Sequence, residues 1–388
     1  MRKINLDKFK RIERETKEIN IDPLQTGGKI PEFTKPSLIT WLDGYSICDF
    51  CPGSLFDLKT PPVKLFVEEI LPEFLGCDQT RITHGAREGK YAIMHAVTKP
   101  GDWIVVDANA HYSSIVAAER AKLNIKKTEK PAEPEYKINP EDYKKALEEI
   151  EDGTGNPAAL ALLTYPDGSY GNLPDAKKIS EICKSKGVPL ILNGAYSVGR
   201  MPLNMKELGA DFIVGSGHKS MAASGPVGVL GTTEEYAEKL FRRSEYYPAK
   251  EVEMLGCTVR GMPAVSLMLS FPFVQERVKH WEKEVENARW FSEQMEKQEI
   301  AVQYGEKPHN HDLMFFMSEK LYQISKKHKK RGFFLYQGLK KRGISGIKPG
   351  LTKQFKLSTY GLEKEDLEKV INALLEIIEE NNHFLNDQ

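Results

Sequence analysis

From about Val63 to Gly231 the chain alternates amphipathic helical stretches with short apolar runs bounded by Gly, Pro, Asn or Asp, and few folds accommodate that alternation. Asp102–Val106, Ala159–Leu163, Pro189–Leu192, Asp211–Val214 and Val227–Gly231 each read as a buried strand. Between them, Pro140–Glu151 reads as a helix capped by Asn139, and Asp175–Lys186 places Ile179, Ile182 and Cys183 on one helical face. The pattern excludes all-α and all-β folds and predicts a mostly parallel sheet flanked by helices. Beyond about Leu255 the character changes. Val274–Gln298 reads as one long charged amphipathic helix, and Glu363–Asn381 as a helix packing Leu367, Val370, Ile371, Leu374, Ile377 and Ile378 on a core. The expected division is an N-terminal segment 1–60, a large domain 61–254 and a smaller α+β domain 255–388.

Lys plus Arg equals Asp plus Glu at 55 each, so no whole-molecule field draws in nucleic acid, although a local basic patch can. Five cysteines, an odd count, argue against a secreted disulfide framework and for the reducing cytoplasm. No apolar run reaches the roughly 20 residues of a membrane span, and Met1–Lys17 is charged, so neither an anchor nor a secretion signal is expected.

The chemistry is concentrated at strand ends. Ser216-Gly217-His218-Lys219 follows a strand and precedes Gly225-Pro226-Val227-Gly228. A lysine there can present its amine to a bound aldehyde, provided that desolvation and nearby cations lower its pKa. Thr83-His84-Gly85-Ala86-Arg87-Glu88-Gly89 leads into a helix, and small residues at a helix N-terminus let backbone N–H groups approach a phosphate. His111 lies just past the strand at 102–106 and can stack on a planar ring, Asn193 ends the strand at 189–192, and Asp167 follows the strand at 159–163. Open α/β sheets bind ligands along this edge.

These pieces, in this order, resemble the fold-type-I pyridoxal phosphate enzymes, especially the branch with the cysteine desulfurases. The resemblance implies that Lys219 carries the cofactor, that Ala86, Arg87 and Ser216 hold its phosphate with help from His218, that His111 stacks on the ring, and that Asp167 reaches the ring hydroxyl. Two departures stand out. Asn193 replaces the usual acidic residue beside the ring nitrogen, so a carbanion is less stabilised, which a good leaving group at Cβ tolerates. Lys356, in Phe355-Lys356-Leu357-Ser358, stands where relatives place an arginine for a free α-carboxylate, and lysine lacks the planar fork. An esterified amino acid needs no such fork; alternatively Arg260 supplies it.

Cys48-Asp49-Phe50-Cys51 has a spacing suited to disulfide exchange, iron–sulfur ligation or persulfide chemistry, and small and cationic neighbours flank Cys257. Together with Asn20–Gly28 and Asn193, these residues resemble the O-phosphoseryl-tRNA:cysteinyl-tRNA synthase family over nearly the whole chain. That resemblance implies a homodimer acting on phosphoseryl-tRNA(Cys), alongside the synthetase that supplies it, with sulfur handled by Cys48, Cys51 and Cys257 as a persulfide or on an iron–sulfur cluster. The leaving phosphate would be received by Arg87, Arg260 or His84, and the basic segments Lys326–Arg331 and Lys340–Arg342 would meet tRNA. A cysteine desulfurase and a non-catalytic tRNA-binding scaffold are the alternatives; Lys356 argues against the first and the intact Ser-x-His-Lys against the second.

Overall fold

The computed structural model describes residues 19–43, 63–256 and 261–386. Its centre is a seven-stranded sheet of β1 (Gln79–Thr83), β2 (Trp103–Val106), β3 (Asn124–Lys127), β4 (Leu160–Thr164), β5 (Leu190–Asn193), β6 (Phe212–Ser216) and β7 (Gly228–Thr232), in the order β1-β7-β6-β5-β4-β2-β3. Strands β2 to β6 pair in parallel, while β7 runs antiparallel to both β6 and β1. The five expected strands are all present, and every residue of β4, β5, β6 and β7 is buried, as a sheet covered on both faces requires. The two strands the sequence hid are the flanking ones: β1 reads Gln-Thr-Arg-Ile-Thr and β3 Asn-Ile-Lys-Lys, too polar to stand out as apolar runs. A charged edge strand also discourages pairing with another sheet.

Helices α1 (Ala86–Val97), α2 (Tyr112–Arg120), α3 (Pro140–Thr154) and α4 (Ala176–Ser185) cover the sheet. The Asn139 side chain caps α3 by accepting from the Glu141 amide at 3.1 Å, and Asp175 caps α4 by accepting from Lys178 at 3.0 Å. One face of the sheet packs Val105, Leu163, Leu192 and Ile213 against Tyr143, Ile179 and Cys183; the other packs Val106, Leu162, Ile191 and Val214 against Ile93, Met94 and Ala118.

A second core surrounds a three-stranded antiparallel sheet of β8 (Val302–Tyr304), β9 (Leu313–Met317) and β10 (Gln354–Ser358), ordered β10-β9-β8. The expected helix over 274–298 is instead two, α6 (Met262–Val278) and α7 (Trp281–Lys297), α5 being the short turn Gly217–Ser220 described below. The break follows from a change of partner: Val265, Phe271 and Val274 belong to the core under the large sheet, whereas Ala288, Phe291 and Met295 belong to the second core. Helices α8 (Glu319–Lys327), α9 (Phe333–Lys341) and α10 (Lys364–Glu380) complete it, and α10 buries Leu367, Val370, Ile371, Leu374 and Ile377 as its periodicity predicts. Residues Ile19–Asn20 pair in parallel with Ile344–Ser345. Among the described residues no helix is long and apolar enough to cross a membrane.

Candidate active site

The C-terminal ends of β2, β4, β5 and β6 converge on one crevice beside the N-terminus of α1, and every chemical group singled out in the large sheet lies along it. Lys219 sits on the single turn α5, directly after β6. Its amine lies 4.8 Å from the centroid of the Tyr196 ring. Burial first, and then the Arg200 guanidinium, lower its pKa from the ordinary 10.5 to about 8. The lysine is therefore much closer to its neutral form than a surface lysine, as a nucleophile or proton carrier requires.

The backbone under Lys219 is clamped. Gly27 and Gly28 press so closely that a Cβ at Gly27 would stand 2.6 Å from the Lys219 carbonyl oxygen, and one at Gly28 would stand 2.0 Å from that of His218. Arg200, fully buried and paired with Asp312 at 2.5 Å, donates to the Lys219 carbonyl at 3.2 Å and to the Pro23 carbonyl at 2.8 Å. Arg277 ties the Gly27, Gly199 and Ser220 carbonyls together. The segment 23–28 is thus part of the lysine's seat.

A phosphate cradle lies next to it. Gly85, with φ of 126°, precedes α1, and its backbone passes so close to Gly228 that a Cβ there would be 2.6 Å from the Gly85 Cα. The first amides of a helix have no partner within it, so Ala86 and Arg87 offer free N–H donors with the helix dipole behind them. His218 closes the far side. Its Cε1 is 3.5 Å from the Cβ position of Gly85, its Nε2 faces Ser216 Oγ at 3.4 Å, and its Nδ1 is 2.9 Å from the Val227 carbonyl. The shorter contact is to a carbonyl, which can only accept, so Nδ1 carries the proton despite the 3.4 Å approach of the Val227 amide; burial lowers the ring's pKa and the carbonyl contact opposes it.

His111 caps α2: its Nδ1 accepts from the Ser113 amide at 3.3 Å and lies 2.8 Å from Ser113 Oγ. An amide can only donate, so Nδ1 is unprotonated and Nε2 bears the hydrogen. Burial, then Lys219, Lys90, Lys356 and Arg87, pull the imidazole down to about 4, so it is a neutral, flat ring at any physiological pH. Asn193 ends β5 with its Oδ1 buried and without a hydrogen-bond partner, which marks a position awaiting a donor. Asp167 is fully buried, Oδ1 accepting from the Ser169 and Tyr170 amides and Oδ2 facing Asn109 Nδ2 at 3.4 Å; burial raises it to about 6. Lys356, on β10, reaches over to the Gly168 carbonyl at 2.6 Å.

Sequence reasoning missed Lys90. It is 1% exposed, donates to Ser113 Oγ at 2.7 Å and Ser114 Oγ at 3.0 Å, and is lowered to about 7 by burial and then by repulsion from Lys219 and Arg87. The signal was present: Ala86, Gly89, Lys90, Ile93 and Met94 form one i, i+3, i+4 stripe, so Lys90 lies on the inward face of α1. Arg87, Lys90, Lys219 and Lys356 together make the crevice strongly electropositive, suited to an anion that carries more than one charge.

Arg87 itself is exposed and donates to the Tyr112 hydroxyl at 3.0 Å. His84 turns away to Glu88, 2.8 Å from its carboxylate. Glu88 also accepts from the Leu255 amide at 3.0 Å, which brings the described chain up to Gly256 beside His84. Cys48, Cys51, Cys257 and Arg260 lie outside the described residues. Among the described residues no cluster of His, Cys, Asp and Glu is arranged to hold a metal; Cys77 and Cys183 are buried, and burial pushes both thiols up to about 12, which makes them unreactive.

The cradle, the seated lysine, the flat neutral ring and the unpartnered amide oxygen fit pyridoxal phosphate in charge and donor set. A family model for O-phosphoseryl-tRNA(Sec) selenium transferase matches residues 91–379. A protein of Methanosarcina acetivorans named O-phospho-L-seryl-tRNA:Cys-tRNA synthase is 59% identical, over 96% of this chain and 97% of its own. One of the same name from Methanocaldococcus jannaschii is 53% identical, over 96% and 99%. A solved SepCysS–SepCysE N-terminal domain complex superposes with a TM-score of 0.90 at 52% identity, over 97% of this chain and all of the other. A cysteine desulfurase from Thermococcus onnurineus, 17% identical over 94% and 95% of the two chains, superposes with a TM-score of 0.74 and shares the fold-type-I architecture.

Proposed function

The chain belongs to the O-phosphoseryl-tRNA(Sec) selenium transferase family, and from that membership we propose that it converts O-phosphoseryl-tRNA(Cys) to cysteinyl-tRNA(Cys), replacing phosphate at Cβ by sulfur with the help of pyridoxal phosphate. The name of the family model and those of the relatives describe one kind of substrate, a phosphoseryl ester on tRNA; the relatives' names favour the cysteine product. The observation that carries the reading is the seat of Lys219, a half-buried lysine lowered to about 8, between a helix N-terminus with free amides and a neutral imidazole.

In this reading Lys219 holds the cofactor's aldehyde, the amides of Ala86 and Arg87 with Ser216 and His218 hold its phosphate, and His111 stacks on its ring. Asn193 would accept from the ring nitrogen through its unpartnered Oδ1, and Asp167 would serve the ring hydroxyl. When bound, the cofactor supplies an electron sink at the substrate's Cα. Lys219, freed once the substrate's α-amine has taken its place on the aldehyde, would take the Cα proton on Nζ. The electron pair left behind forms the Cα–Cβ double bond as phosphate leaves Cβ with its bonding pair, and the crevice cations, Arg87 first among them with Arg260 and His84 as further candidates, receive it. A sulfur nucleophile then adds to Cβ and Lys219 returns the proton to Cα. The weak pairing that a neutral Asn193 offers is sufficient, because phosphate is expelled as soon as the pair is available.

Lys356 gives the substrate side. Its single ammonium, held on the Gly168 carbonyl, provides no fork for a free carboxylate, in keeping with an esterified amino acid. Cys48, Cys51 and Cys257 pass the sulfur on from an iron–sulfur cluster, or as a persulfide whose outer sulfur adds to Cβ and is then freed by attack of a second of these thiols, leaving a disulfide between two of them; the enzyme works as a cytoplasmic homodimer beside the synthetase that makes its substrate. The test is incubation of the purified, cofactor-loaded protein with phosphoseryl-tRNA(Cys) and sulfide: the expected products are cysteinyl-tRNA and one phosphate per turnover. Sulfur release from free cysteine without any cysteinyl-tRNA would overturn the reading in favour of a desulfurase.

A further inference from the structure

The turn between α8 and α9 carries Lys329, Lys330 and Arg331, all exposed, and none of the three has a carboxylate within ion-pair distance among the described residues. Most cations elsewhere on this surface that reach a neighbour reach an acid: Lys126 meets Glu149, Lys186 meets Glu148 and Glu151, and Lys283 meets Glu363. Arg342, the last residue of the basic stretch that follows, is neutralised by Glu376 at 2.8 Å and Glu380 at 2.7 Å. Of the second basic stretch only Arg342 is closed by acids; Lys340 and Lys341 are exposed and, like the turn between α8 and α9, have no carboxylate within ion-pair distance among the described residues.

The first segment also continues inward. Gly332 abuts the loop that precedes β10 so closely that a Cβ there would be 2.3 Å from the Gly350 carbonyl oxygen, which sets the exposed Lys348 of that loop beside the turn. At the start of β10, Lys353 lies 5.0 Å from the centroid of the Tyr322 ring, and Lys326 lies 4.3 Å from the same ring. Two ammonium groups drawn to one aromatic ring in a chain with no net charge suit an anion, the ring holding both cations in place meanwhile. Three residues further along β10 is Lys356 at the edge of the crevice, within the electrostatic reach of Lys348 on one side and acting on His111 on the other.

We infer that Lys326, Lys329, Lys330, Arg331, Lys348 and Lys353 form a phosphate-binding track for the acceptor arm of the tRNA, leading to Lys356, where its esterified 3′ end enters the crevice. This rests on the proposed reaction at Lys219. A track of separated cations suits successive backbone phosphates, and its direction, from an outer turn to the reacting group, suits a long polyanion held at one end.

The variant to make is Lys329→Gln, Lys330→Gln, Lys348→Gln and Lys353→Gln together, with Lys144→Gln, Lys177→Gln, Lys178→Gln and Lys184→Gln on helices α3 and α4 as the charge-matched control. The probe is unacylated tRNA(Cys) transcript, titrated against the cofactor-loaded protein by fluorescence anisotropy over a series of salt concentrations. Every phosphate deprived of its cation flattens the plot of log affinity against log salt by about 0.9, so the fourfold variant should have a slope shallower by about 3 to 4 and bind about tenfold or more weakly. The control should match wild type. With phosphoseryl-tRNA the KM should rise about as much as the affinity falls while kcat stays within about twofold, and turnover of a small O-phosphoseryl ester without the tRNA should be unchanged. Wild-type affinity and slope in the fourfold variant, in a preparation whose wild type does turn over phosphoseryl-tRNA, would overturn the track alone; absence of turnover in the wild type would overturn the proposed reaction instead.

Discussion

Replacing Lys90 by Met should change the stability of the cofactor-free protein in a direction that depends on pH. Lys90 is buried on the inward face of α1, and its pKa falls from 10.5 in an open chain to about 7 in the fold. At about 1.4 kcal/mol per pH unit, that interval corresponds to roughly 5 kcal/mol of destabilisation. Because the folded pKa lies below the unfolded one, the penalty is fully present below about pH 7, shrinks as pH rises, and is gone above about 10.5. The Met variant escapes it but leaves the Ser113 and Ser114 hydroxyls without the ammonium donor, a loss of about 1 kcal/mol each. The variant should therefore be more stable than wild type by about 3 kcal/mol at pH 6.5, equal to it near pH 9, and less stable by about 2 kcal/mol at pH 10.5. Urea denaturation of both apoproteins across that range measures the difference directly. A difference that stays constant with pH, or a variant that is weaker at pH 6.5, would refute the claim that Lys90 is held charged against its own burial.

Lys219→Ala should abolish the visible absorbance of the lysine-bound cofactor together with all turnover; a borohydride-reducible adduct on another lysine would reassign the site. Gly28→Ala forces a methyl group to within 2.0 Å of the His218 carbonyl, so it should cost about 1–3 kcal/mol in stability and shift the cofactor's absorbance, and a variant with the wild-type spectrum and stability would remove residues 23–28 from the lysine's seat. Cys257→Ala should stop delivery of sulfur from a physiological donor while the cofactor spectrum stays unchanged; full activity with that donor would leave the thiol without a role in the reaction.

The parts of the fold visible in the sequence were those governed by local periodicity. Strands β4 to β7 are buried on both faces and read as unbroken apolar runs, and helices α3 and α4 announce themselves through Asn139 and Asp175. The flanking strands β1 and β3 were hidden because half-covered strands can keep polar residues, and the break at Lys279–His280 was hidden because both halves carry the same charged surface while their buried faces serve different cores. In the crevice, the residues that close a motif at a strand end were legible: Arg87, His111, Asn193, Ser216, His218 and Lys219 do lie along one edge. What could not be read was the long-range support. Nothing near Arg200 in sequence points to Asp312, nor does anything near Gly28 point to His218, since such contacts exist only once the chain has folded back on itself.

That folding back has a consequence for how the protein is made. The clamp beneath Lys219 is finished only when Thr26 Oγ1 meets Ser358 Oγ at 2.9 Å, across 332 residues, and when Ile19–Asn20 finds Ile344–Ser345. At a translation rate of about 5–20 residues per second, roughly 15 to 70 s separate the synthesis of the two sides. During that interval the segment around residues 19–28 is already outside the ribosome with its docking surface not yet complete, while the large sheet, whose last strand ends at Thr232, can close behind it. A nascent chain stalled after Thr232 therefore has the lysine, the phosphate cradle and the Gly27, Gly28 and Arg200 part of the support, but not Arg277, Asp312 or Ser358, which complete it. Competence to hold the cofactor firmly arrives late, with β10, so the residues made among the first are among the last to find their place.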